Sequence, residues 1–86
     1  MSLKKETANA AREINKSISV LDEQIDATDR QIIDARKALR LLVATGGQAK
    51  DINMAIAEVD TLVRRVQAKT KIRRNLQDNL GHLGDV

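Results

Sequence analysis

Isoleucine and leucine recur through the first half of this chain at Ile14, Ile18, Leu21, Ile25, Ile32, Leu39 and Leu42. Thr28 and Ala35 complete the series, so the stripe advances by alternating fours and threes, the a/d repeat of a coiled-coil helix. The second half repeats the alternation through Ile52, Ala55, Val59, Leu62, Val66, Leu76, Leu80 and Leu83. The two stripes are mirror images. Leu42 and Ile52, Leu39 and Ala55, Ala35 and Val59, Ile32 and Leu62, Thr28 and Val66, Ile18 and Leu76, Ile14 and Leu80 are each equidistant from Gly47. A chain with that symmetry folds back on itself, and the reading is all-α: a long antiparallel helical hairpin, or two-helix coiled coil.

The hairpin occupies residues 1–86 as a single domain. Helix one is expected over 4–44, a turn over 45–48, helix two over 49–80 and a short fraying tail over 81–86. Thr45-Gly46-Gly47 stops the first helix because glycine enters the left-handed C-cap conformation at little cost. Asp51 falls in the first turn of helix two, where a carboxylate complements the exposed N–H groups, and Gly81 marks the expected end. At 1.5 Å rise per residue, helix one would be about 60 Å long, so the expected shape is a rod.

Composition supports long helices over a compact core. Phe, Trp and Tyr are absent, removing the side chains that usually dominate a globular interior, and the absence of Pro and Cys fits uninterrupted helices without disulfides. Hydrophobic residues at 42% argue against disorder. No stretch approaches the roughly 18 apolar residues that cross a bilayer, and Met1 to Glu6 has no apolar signal-like core, so a cytoplasmic protein without membrane partners is expected.

Charge follows the same register. Residues 20–34 hold five carboxylates, Asp22, Glu23, Asp26, Asp29 and Asp34, against Arg30, a net of −4. Residues 59–74 hold Arg64, Arg65, Lys69, Lys71, Arg73 and Arg74 against Asp60, a net of +5. Reflected about Gly47, the acidic block lies level with the basic one, and Arg36 falls close to Glu58. Ion pairing between the helices is therefore the favoured role of the basic run. Its second role is as candidate nucleic-acid contacts, Arg64, Arg65, Lys69, Lys71, Arg73 and Arg74, which would release counterions from phosphates without any aromatic side chain for base stacking.

Two features leave the simple hairpin incomplete. Lys69 and Arg73 occupy seam positions; their aliphatic stems are expected to cover the seam, with Ile72 turning partly inward as a substitute, or else to set register or mark a partner's place. Apolar residues also lie off the seam: Val43, Ile56 and Val63 on the e-type flank, with Ile33, Leu41 and Met54 further round. A two-helix rod has one narrow interface and no third layer, so these six form the candidate partner interface, the default occupant being a second copy in a four-helix bundle or larger assembly.

Enzymatic chemistry finds little foothold. His82 is the only histidine and sits in the expected tail, and no Gly-rich phosphate loop or Glu-x-x-His metal motif is present, so no catalytic, cofactor-binding or metal residue is assigned. The leading reading is a non-enzymatic interaction module that self-assembles, a dimer being favoured, or serves as a subunit of a larger particle. The Thr45-Gly46-Gly47-Gln48-Ala49-Lys50 junction between two helices resembles the small hairpin chaperones of type III secretion needle subunits. That likeness, confined to the turn, implies a cytoplasmic chaperone or adaptor holding a partner's helix. The third reading is a nucleic-acid-binding or packaging accessory that uses the basic run.

Overall fold

The computed structural model describes residues 2–84, with side chains over 4–83. Helix α1 spans Ser2–Ala44 and helix α2 spans Ala49–Gly84. They lie antiparallel in a rod with extents of 68 × 15 × 14 Å, confirming the all-α helical hairpin. Every a/d position from Ile14 to Leu42 and from Ile52 to Leu83 is buried or half-buried. The heptad is thus the physical seam, Lys69 and Arg73 included.

Burial is deepest in one short section. Ile32 retains 7% of its accessible surface and Leu62, its mirror partner in the heptad, retains 8%. Thr28, one turn away, is 5% exposed, and its hydroxyl donates to the Gln24 carbonyl at 2.9 Å. That bond within its own helix satisfies a polar group that would otherwise be costly to bury.

The turn is a glycine-dependent Schellman cap. Gly46 has φ of +73° and its N–H donates to Val43 O at 3.3 Å, while Gly47 N–H donates to Leu42 O at 2.7 Å. These two bonds satisfy the Val43 and Leu42 carbonyls near the end of α1, and Leu41 O accepts both the Thr45 N–H at 2.9 Å and the Thr45 hydroxyl at 2.8 Å. Gly47 is favoured for a different reason: a Cβ there would stand 3.0 Å from Leu42 O and 3.2 Å from Leu42 Cδ2, a crowding that these atoms would have to shift to relieve. The α2 ladder then opens with Ile52 N–H donating to Gln48 O.

Three expectations need correction. Helix α2 does not stop at Gly81 but runs to Gly84, so His82 lies in its last turn; Asp85 and Val86 of the expected tail lie outside the described residues. Gly81 lacks the positive φ of a C-cap, and seam contacts by Leu80 and Leu83 on either side hold it helical against its modest propensity cost. Ile72 does not turn inward: it is 51% exposed, because the half-buried stems of Lys69 and Arg73 already occupy the seam. Arg36 and Glu58 form no ion pair, although they are level along the rod. Level is not side, as the register of the flanks makes clear.

Candidate interaction surfaces

In heptad terms, Ile18, Ile25, Ile32 and Leu39 are a positions of α1, and Ile52, Val59, Val66, Arg73 and Leu80 are those of α2. In an antiparallel pair the two e ridges share one flank of the seam and the two g ridges share the other. Arg36 is an e residue and Glu58 a g residue, which puts them on opposite flanks. The same phase separates most of the acidic and basic blocks. Among the described residues one ion pair crosses between the helices, Arg73 Nε with Asp22 Oδ1.

The basic run accordingly divides. Arg73 pairs with Asp22, and Lys69 is half-buried at its seam position. Arg64 pairs within its own helix, 3.1 Å from Asp60, with both side chains largely exposed, a geometry that contributes only tenths of a kcal/mol. Arg64 and Lys71 at f and Arg74 at b form an exposed ridge on the side of α2 turned away from α1. Arg65 lies apart, on the g flank.

The six off-seam apolar residues do not form one surface either. Val43 and Ile56 are exposed on the e flank, Leu41 and Met54 are exposed on the g flank side at c positions, and Ile33 is exposed on the outer b ridge of α1. Val63 differs from the rest in being half-buried, lying level with the tight section around Ile32 and Leu62. Leu41 and Met54 are the most exposed large apolar side chains of the described residues, at 64% and 63%. Val20 and Ile72, also exposed, were absent from the set read from the sequence; carrying the heptad letters to every apolar residue places them on the same g side.

Between the helices on that side runs an open trough. Ala35, Ala38 and Ala55 line it, their small side chains leaving space beside Met54, while Asp34, Glu58 and Arg65 border it with charges of both signs. The opposite flank carries Asp22, Asp29 and Arg36 next to the seam. No group of three or more potential metal ligands occurs among the described residues, and no helix is long and apolar enough to cross a membrane. Comparisons with protein-family models, curated protein sequences and solved structures returned no match to this chain.

Proposed function

We propose that this chain is a non-enzymatic assembly module whose hairpin pairs with a second copy of itself to complete a four-helix bundle. The observation that carries the reading is the amount of surface the isolated hairpin leaves in water. Its accessible area is 6784 Å² for 9.5 kDa. A compact monomer of that mass exposes roughly 5,000 Å². The excess includes Leu41 and Met54 beside a trough of alanines, a shape into which a second pair of helices can settle. Stability points the same way, since cores below about 70–80 residues seldom supply more than about 3–5 kcal/mol and this slightly longer chain spreads its burial along a single seam.

Sedimentation equilibrium or native mass spectrometry tests the reading. The expected result is a dimer whose population and thermal midpoint rise with concentration, lost in Leu41→Ser/Met54→Ser. A strict monomer throughout the micromolar range overturns self-assembly; stoichiometric recovery of a foreign helical protein on the same residues would replace it with the chaperone or adaptor reading.

A second reading is favoured by the outward ridge of Arg64, Lys71 and Arg74, which makes no ion pair with the acids of α1. Such a ridge suits the phosphates of nucleic acid, and it lies clear of the g-flank trough, so the two readings are compatible. Unchanged mobility of duplex and single-stranded DNA at low salt removes it.

A further inference from the structure

Resting on the self-assembly reading, we infer that the two hairpins associate with their turns at the same end, about a twofold axis along the rods, so that each α1 lies beside the α2 of the second copy. Two independent features decide the orientation, one apolar and one electrostatic.

The exposed apolar residues are concentrated at the turn end. Leu41 and Met54 are the pair nearest the turn on the g side, and Val43 and Ile56 occupy the same stretch of the other flank. Turns together set Leu41 of one copy level with Met54 of the next, and further down the rod Ala27 level with Ala68. Reversing one hairpin moves Leu41 and Met54 to the far end. There the c and g positions include Glu6, Glu13, Asn79 and His82, all exposed and polar, beside the half-buried Ala10. The first arrangement removes apolar area from water on both sides of the contact; the second buries it against charge.

The charge blocks favour the same choice. Because a single ion pair crosses inside the hairpin, most of the acidic block over 20–34 and the basic block over 60–74 still project outward at a common level. In a bundle whose neighbouring helices are all antiparallel, turns together place α1 next to the second copy's α2 and set Glu23, the f-position acid of α1, level with Lys71 at f of that α2, while Asp22 and Asp29 stay on the other flank. Turns apart place α1 next to the second copy's α1, bringing the Glu23 carboxylates of both copies to nearly one level. Neighbouring helix axes are about 8–10 Å apart, within a Debye length of roughly 10 Å at 0.1 M salt, so the blocks still sense each other.

The chain has no cysteine, which permits clean single-site labelling. Nitroxides on Gln48→Cys at the turn and, in a second sample, on Asn9→Cys near the other end are measured by pulsed electron–electron resonance in the dimer. Both samples should give intermolecular distances within about 30 Å, the width of a four-helix bundle with its labels. A mixture of the two singly labelled chains should add a component near 60 Å, from about 1.5 Å per residue over the intervening length. Long distances in both pure samples with a short one in the mixture overturn the orientation while leaving self-assembly intact. A monomeric mass with no intermolecular distance in any sample overturns the self-assembly reading itself.

Discussion

Arg73 occupies a seam position of α2, and its Nε donates a hydrogen bond to Asp22 Oδ1 on the e ridge of α1, the one ion pair among the described residues that joins the helices. The guanidinium side chain is 33% exposed and the carboxylate 48%, so solvent screens the attraction while the arginine stem fills space that an aliphatic residue would fill better. The pair selects register more than it stabilises. In a double-mutant cycle of Asp22→Asn with Arg73→Gln, followed by thermal denaturation at fixed protein concentration, the coupling should be about 0.2–1 kcal/mol and shrink with added salt. Arg73→Leu alone should raise the midpoint, as replacing a polar seam residue by an apolar one generally does. A coupling above about 2 kcal/mol would show that the pair holds the hairpin together.

The glycines should respond in opposite directions. Gly46→Ala forces a Cβ into the left-handed region and should cost about 1–2 kcal/mol, although nothing crowds the site. Gly81→Ala should stabilise by up to about 1 kcal/mol, because α2 continues through this residue and the added methyl meets nothing within 4 Å. Chemical denaturation of the two variants, with circular dichroism as the readout, should therefore bracket the parent; equal effects of one sign would contradict the observed helix end.

Folding and association should separate by residue. Leu62→Ala removes a side chain from the tight section and should cost about 2–5 kcal/mol, enough to bring the chain close to unfolding. Leu41→Ala, at an exposed position, should alter the stability of the dilute monomer by less than about 0.5 kcal/mol while weakening the proposed dimer. Helicity measured across a dilution series distinguishes the two; an equally large loss of monomer stability in Leu41→Ala would place that residue in the intramolecular core.

If the outward ridge binds nucleic acid, the salt dependence counts its contacts. Three phosphates neutralised by Arg64, Lys71 and Arg74 give a slope of log K against log salt of about −2.7 on duplex DNA. Charge reversal at the three positions should abolish binding in fluorescence anisotropy, whereas Arg73→Gln should change the slope little, since Arg73 is engaged with Asp22. A slope unaffected by the triple variant would assign any binding to another part of the rod.

The hairpin was legible because its determinants are periodic and local. A fixed step of fours and threes aligns side chains on one helix face whatever the rest of the chain does, and a paired glycine at the mirror point supplies the αL cap. Position along the rod followed directly, as Ile32 opposite Leu62 illustrates. The side of each charge was also within reach, but reflection about Gly47 reports level alone; the heptad letters of Arg36 and Glu58 were needed to see that they occupy opposite flanks. Val20 and Ile72 are found by the same step.

Other outcomes depended on competition that no repeat encodes. Gly81 reads as a helix stop by propensity, yet seam contacts at Leu80 and Leu83 outweigh a cost of about 1 kcal/mol and carry α2 to Gly84. Lys69, Ile72 and Arg73 contend for the same length of seam, and long aliphatic stems with an acceptor at Asp22 leave the isoleucine outside. Sequence alone determined the antiparallel hairpin and the level of every residue along it, since both follow from helical period. Tertiary structure decided which side chains meet and which remain in water, because that depends on the space between two particular helices and on which neighbour fills it first.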